Sequence, residues 1–191
     1  YFVDIYDLLL FSITRVGSLR SLGLSDAEIL SQGESIIMWQ MGGLLLGGII
    51  WGIMGDKKGR LSVLFGSIIL YSLANIANGF VQTPGQFKLV RFIAGLGLAG
   101  ELGAGITLVS ELISKEKRGI ATSFVAGIGL TGAVVAFIMK ENFDWRTCYF
   151  IGGGLGLALL LLRISVFESG MFHETKKMDV QRGNFFMLFN N

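Results

Sequence analysis

The chain has 191 residues, 52% of them hydrophobic and 16% charged, with 28 glycines and one proline, a composition that departs from soluble domains towards membrane helices. The formal net charge of +2 is small and the basic residues lie at the ends of apolar runs, which excludes the basic stripe of a nucleic-acid-binding protein. One cysteine and one histidine exclude an intrachain disulfide and a Cys/His metal site within one copy, and no cofactor is predicted.

Six apolar stretches predict six membrane-spanning helices, since crossing a bilayer takes about 20 mainly apolar residues at about 1.5 Å rise each. The polar segment 17–34 is predicted to form an exposed loop after the first helix, and the proline marks a turn before the fourth. The fold class is therefore an all-α membrane protein with one six-helix domain, 1–166. The predicted spans are about 1–16, 35–54, 61–81, 86–113, 119–139 and 145–166.

Both ends of the chain are expected to be cut from a longer protein. The first apolar run is already under way at Tyr1, with no initiator methionine and no signal peptide. Residues 167–191 are mainly polar and are interpreted as a cytoplasmic linker. An apolar patch near its end, 185–189, either begins a seventh helix or lies on the membrane surface.

Basic residues are unevenly distributed between the two sides of the predicted bundle. The connections after the second and fourth helices, together with Arg163 and the tail, hold more Lys and Arg than the opposite side. The positive-inside rule places this richer side in the cytoplasm. The first helix then runs outward, and both ends of the domain are cytoplasmic.

Four acids stand within the predicted spans, and one of them, Glu111, lies near the end of the fourth helix. Asp4 and Asp7 are three residues apart and project to one side of the first helix. An acid at membrane depth costs about 2.5 to 3.5 kcal/mol, so such residues usually line a cavity. Glu101 lies near the middle of the fourth helix, where we expect it to face the central cavity and carry a proton. Two alternatives stay open. Asp4 could be a helix-start residue near the cytosolic surface, and Glu101 could bond to a neighbouring helix and serve only packing.

Two motifs carry a family resemblance. A short basic turn with one acid, Gly52-Ile-Met-Gly-Asp-Lys-Lys-Gly-Arg60, resembles the signature loop G-x-x-x-D-[RK]-x-G-R-[RK] between helices 2 and 3 of the major facilitator superfamily. The run Arg91-Phe-Ile-Ala-Gly-Leu-Gly-Leu-Ala-Gly-Glu101, continued to Glu111 and Arg118, resembles helix 4 of that superfamily and the turn behind it. The resemblance covers 1–170 and is closest to the sugar and metabolite:proton symporters.

The resemblance implies a twelve-helix bundle of two halves with the substrate site between them, of which this chain is the N-terminal half. It implies secondary active transport by alternating access, with proton-coupled symport of a small polar or anionic metabolite across the plasma (inner) membrane. The other half would be the missing C-terminal part or a second copy of the chain. The alternative is a half-size membrane protein that pairs with itself or has a structural or regulatory role without transport. Enzymatic activity is not expected.

The resemblance also implies roles for the buried charges. Asp4, Asp7, Arg91 and Glu101 form the predicted proton- and substrate-binding set. Arg91 is expected to face Asp7, so that protonation of Asp7 would release Arg91 and bias a two-state element. A static ion pair is one alternative, and an Arg91 that binds an anionic substrate is another.

A second predicted set forms a cytoplasmic gate that holds the two halves together while the site is open to the outside. Asp56 is expected to cap a helix in the other half, and the glycines are expected to permit a tight turn. The alternative is that the charges are ordinary solvated topology signals. The set comprises Gly55, Asp56, Gly59, Arg60, Glu111 and Arg118.

Overall fold

The computed structural model of the chain describes residues 1–112, 114 and 117–167, with the backbone alone for 104–112 and 165–167. Within these ranges it contains six α-helices and no β-strand. The predicted all-α fold with six helices is therefore confirmed. The helices are α1 Phe2–Ser21, α2 Asp26–Lys58, α3 Arg60–Asn78, α4 Pro84–Leu112, α5 Arg118–Asn142 and α6 Trp145–Phe167.

The first connection is much shorter than predicted, because residues 22–25 alone separate α1 from α2. Gly23 has φ +86°, a left-handed conformation that favours glycine, and it reverses the chain between the helices. The Ser25 N–H donates to Glu28 Oε2 at 2.9 Å and so caps the start of α2. The predicted loop 17–34 was wrong, because its polar residues form exposed turns of two helices that continue beyond their apolar spans.

A single residue, Gly59, separates α2 from α3. Its φ of +88° lies where side chains with a Cβ are strained. The Gly59 N–H donates to the Gly55 carbonyl oxygen at 3.0 Å, which ends α2. The predicted turn at 52–60 was therefore too long, since all but its last two residues continue α2. Gly55 is helical and does not make the turn, which corrects its predicted role.

Helix α4 lies at the centre of the described bundle, packed between α2 and α3, while α1 packs against α5 and α6. The contact of α4 with α2 is close enough that a Cβ on Gly95 would overlap the Gln40 carbonyl oxygen. Arg91 and Glu101 instead face α1, α3 and α6. The interior of the bundle on that side of α4 holds the candidate site.

The apolar surface of the chain shows that it is an integral membrane protein. Over the described residues, four helices are long and apolar enough to cross a membrane, namely α2, α3, α5 and Trp145–Ile164 of α6. Large hydrophobic side chains such as Leu45 on α2 and Phe124 on α5 point outward. Helices α1 and α4 differ because they carry charged side chains turned into the bundle.

Two carboxylates cap helix starts on the side of the bundle opposite Gly59. Hydrogen bonds from Ser25 lower the pKa of the exposed Glu28 at the start of α2. Hydrogen bonds from Thr147, whose N–H lies 3.1 Å from Asp144 Oδ1, lower the pKa of Asp144 before α6. These caps fix where α2 and α6 enter the bundle.

Candidate functional site

The interior between α1, α3, α4 and α6 contains four charged residues that are at most 1% exposed: Asp4, Asp7, Arg91 and Glu101. Asp4 and Asp7 are nearly one turn apart on α1, while Arg91 and Glu101 are about 15 Å apart along α4, from ten residues at about 1.5 Å each. The charges therefore form two layers at different depths. We call them the Arg91 layer (Asp7, Asn75, Arg91, Tyr149) and the Glu101 layer (Asp4, Tyr71, Glu101, Arg163).

In the Arg91 layer one guanidinium meets one carboxylate. Arg91 Nη1 lies 3.1 Å from Asp7 Oδ1 and 3.2 Å from Asn75 Oδ1, and Nη2 donates to the Asp7 backbone oxygen at 3.1 Å. The guanidinium carbon lies 5.5 Å from the centre of the Tyr149 ring. The predicted contact of Arg91 with Asp7 is present, and it closes a charge-balanced, hydrogen-bonded cluster. A role for that contact in proton coupling stays a prediction.

In the Glu101 layer one guanidinium pairs with one of two carboxylates. Arg163 Nη2 donates to Glu101 Oε1 at 2.5 Å, and Arg163 is 20% exposed. The carboxylate of Asp4 is within Coulombic range of both Glu101 and Arg163. The amino group of Tyr1 lies 3.0 Å from Asp4 Oδ2. Counting side chains alone, the layer has two carboxylates and one guanidinium, and in this structure the Tyr1 amino group supplies the second positive charge.

Several buried polar atoms of the Glu101 layer have no hydrogen-bond partner among the described residues. They are Asp4 Oδ1, the Tyr71 hydroxyl, Glu101 Oε2 and Arg163 Nη1. A buried polar atom without a partner costs about 1 to 3 kcal/mol, so such atoms indicate a bound water, ion or proton. The Arg91 layer has such atoms as well, namely Asp7 Oδ2, Asn75 Nδ2, Arg91 Nε and the Tyr149 hydroxyl, so unpartnered atoms alone do not distinguish the two layers.

The structure corrects the expected surroundings of Glu101. The sequence predicted a carboxyl in the central cavity, whereas Glu101 is buried against Arg163 of α6. The sequence pattern marked Arg163 only as one of the basic residues of the cytoplasmic side, although it interrupts an apolar run and such a charge needs a partner. Tyr71 carried no such signal, because a tyrosine in an apolar helix is ordinary.

The predicted gate residues are only partly brought together. Asp56, which is exposed, and Arg60, which is half-buried, line one crevice of about 240 Å³ between α2, α3 and α4. Arg118 begins α5 and is not among the described residues that line this crevice. The side chain of Glu111 lies outside the described residues. A network of all the predicted gate charges stays a prediction.

Comparisons with known proteins agree on the kind of protein. A family model described as Major Facilitator Superfamily matches residues 4–184. The probable 4-methylmuconolactone transporter of Cupriavidus pinatubonensis is 28% identical over 98% of this chain and 45% of its own length. The 3-(3-hydroxy-phenyl)propionate transporter of Escherichia coli is 31% identical over 83% of this chain and 42% of its own length.

A solved structure, the proton:xylose symporter XylE, superimposes with a TM-score of 0.70 at 20% sequence identity, covering 84% of this chain and 42% of that chain. At this identity the likeness shows the shared fold. The chain spans about half the length of the curated relatives that it matches.

Proposed function

Because the chain belongs to the Major Facilitator Superfamily, whose members are transporters, we propose that it forms one half of a secondary active transporter that works by alternating access. The proposed cargo is a small polar or anionic metabolite that moves together with protons. No enzymatic reaction is part of this proposal. The other half of the pathway would come from a C-terminal half or from a second copy of the chain.

The observation that carries this proposal is the pair of buried charge layers. Ionisable side chains at membrane depth are costly, and they usually mark substrate or ion pathways. Here Asp4, Asp7, Arg91 and Glu101 are at most 1% exposed inside an apolar bundle. A protein that only filled space in the membrane would be more stable with apolar residues at these positions.

The proposed substrate class is a small carboxylate. One relative is named as a transporter of a propionate, which is a carboxylate, and another as a transporter of 4-methylmuconolactone. Proton coupling is supported by the solved neighbour, which is described as a proton:xylose symporter. Arg163, which is 20% exposed, would supply the positive charge that attracts an anionic substrate into the pathway.

We propose further that the Gly59 side of the bundle faces the cytoplasm of the plasma (inner) membrane and forms the gate. Asp56 is exposed there and free to approach the positive N-terminus of a helix in the other half. Such a contact contributes about 0.3 to 1 kcal/mol, which suits a latch that opens in each transport cycle.

The test is uptake by the protein encoded in the complete reading frame, purified and reconstituted into vesicles. A panel of small aromatic carboxylates is offered with an inside-alkaline pH gradient, and xylose serves as a neutral comparison. We expect at least one carboxylate to accumulate, and accumulation to stop when a protonophore collapses the gradient. Folded protein that accumulates no solute from the panel would instead support a structural role without transport.

A further inference from the structure

We propose that the coupling proton is held in the Glu101 layer, where Asp4 and Glu101 share it beside Arg163, and that the contact of Asp7 with Arg91 is a fixed structural pair. This assignment deepens the proposed transport function and rests on it. It differs from coupling through Asp7 because the two layers differ in charge balance and in the hydrogen bonds that their atoms make.

The Arg91 layer has no need of a proton. Arg91 donates through Nη1 to Asp7 Oδ1 and Asn75 Oδ1 and through Nη2 to the Asp7 backbone oxygen. One guanidinium therefore balances one carboxylate, and both are at most 1% exposed. A proton on Asp7 would leave Arg91 as an uncompensated charge without access to water, so the ionised pair is the stable arrangement.

When only side chains are counted, the Glu101 layer has two carboxylates for one cation, and the amino group of Tyr1 is the second cation in this structure. Arg163 pairs directly with Glu101, and the carboxylate of Asp4 lies within Coulombic range of both. Two buried carboxylates cannot both ionise cheaply beside a single cation, so sharing one proton balances the layer. A proton on one of the two acids would also make that carboxyl a hydrogen-bond donor. Asp4 Oδ1 and Glu101 Oε2 both have no donor partner among the described residues.

The groups that face this layer come from four helices. They are Asp4 and Asp7 with the Tyr1 amino group on α1, Tyr71 on α3, Glu101 on α4 and Arg163 on α6. The Tyr1 amino group would itself balance Asp4, so the test removes it. In every variant Tyr1 is joined to a preceding residue by a peptide bond, which leaves the side chains alone to set the charge.

The Tyr71 hydroxyl is placed to pass the proton on. It is buried, has no hydrogen-bond partner among the described residues, and lies within Coulombic range of Asp4, Asp7 and Glu101. A hydroxyl both donates and accepts, so it can give its proton to one carboxylate while taking another from a hydronium ion, which leaves as water. Arg163 is 20% exposed, so the described residues leave this side of the layer partly uncovered. We therefore assign the Tyr71 hydroxyl as a relay for the proton.

The first experiment separates coupling from transport. Asp4→Asn and Glu101→Gln keep the shape of the side chains but cannot exchange a proton. Each is expected to keep substrate counterflow, which needs no net proton movement, and to lose accumulation driven by a pH gradient. The matched control is the double variant Asp7→Asn/Arg91→Gln, which removes the other layer's charges in balance and should still respond to the gradient.

The opposite pattern overturns the proposal: gradient-driven accumulation that survives in Asp4→Asn and Glu101→Gln but fails in the Asp7→Asn/Arg91→Gln variant. Failure of the proposed transport function has a different signature, since the unmodified protein would then show neither counterflow nor accumulation.

Infrared difference spectra between acidic and alkaline pH keep the assignment testable in that case and need no substrate. The band of a buried protonated carboxyl should disappear in Glu101→Gln and persist in the double variant; its persistence in both Glu101→Gln and Asp4→Asn contradicts the assignment.

The second experiment tests Tyr71 with the least possible change. Tyr71→Phe removes only the hydroxyl and is expected to slow gradient-driven uptake by on the order of 100-fold, the low end for losing a proton-transfer group, while counterflow is kept. Tyr149→Phe is the control, because its hydroxyl is equally buried but belongs to the Arg91 layer. Equal effects of the two substitutions on the gradient response would overturn the role of Tyr71.

Discussion

The Arg91 and Glu101 layers use the same types of residue on the same two helices, α1 and α4, yet they differ in how their charges are satisfied. Arg91 makes three hydrogen bonds to Asp7 and Asn75 and balances one carboxylate. Arg163 makes one hydrogen bond to Glu101 while Asp4 stays within Coulombic range. The comparison teaches that burial alone does not mark a proton site. The balance of side-chain charges distinguishes a structural pair from a site that can exchange a proton.

The largest loss of stability is expected when only one of the two charges of the Arg91 layer is removed. Asp7→Asn leaves Arg91 buried without a counter-charge, which should lower the free energy of unfolding by about 3 to 5 kcal/mol. Thermal unfolding in detergent measures this loss. The Asp7→Asn/Arg91→Gln variant should recover most of it, and an unchanged melting temperature for Asp7→Asn alone would show that the pair is not structural.

A smaller effect is expected in the Glu101 layer. Arg163→Gln removes a charged hydrogen bond worth about 1.5 to 3 kcal/mol. The loss stays in that range because Glu101 can be neutralised by a proton, whereas the guanidinium of Arg91 cannot lose its charge. Arg163→Lys should cost less because it keeps the charge. The same unfolding assay compares the stability lost in both variants with that lost in Asp7→Asn. A loss in Arg163→Gln as large as that in Asp7→Asn would contradict the proposed difference between the two layers.

Away from both layers, Gly59 and Gly55 are a matched pair of positions at which the effect of glycine on stability can be compared. Gly59→Ala places a Cβ at φ +88°, a conformation that costs about 1 to 3 kcal/mol for a residue other than glycine. A Cβ on helical Gly55 would lie 3.5 Å from Val63 Cγ2, an ordinary contact, so Gly55→Ala should be nearly neutral. Equal melting temperatures for the two variants would contradict the assignment of the turn to Gly59 alone.

The smallest effect concerns the surface cap at Asp144. Its pKa is lowered by hydrogen bonds from Thr147, so the cap stabilises the fold above the ordinary Asp pKa and is lost as the pH falls through the lowered value. Melting temperatures of the unmodified protein and of Asp144→Ala should therefore differ near neutral pH and converge in acid. A difference that grows in acid would reverse the expected sign.

The sequence located the buried charges but not their partners. Asp7, Arg91 and Glu101 were identified because charges inside apolar runs are rare and costly. The pairing of Glu101 with Arg163 joins residues 62 positions apart, and hydropathy does not reveal which helices are neighbours. The polar residues at 17–34 were assigned to a loop because a helix outside the bilayer has the composition of a loop.

The location of the coupling proton in the Glu101 layer is tested most directly by measuring proton uptake by the reconstituted protein. Substrate added to a weakly buffered suspension, followed with a pH-sensitive dye, should remove protons from solution in the unmodified protein and in Asp7→Asn/Arg91→Gln. Glu101→Gln should bind substrate without taking up protons. Proton uptake that persists in Glu101→Gln and vanishes in the double variant would place the coupling proton at Asp7 and contradict the account.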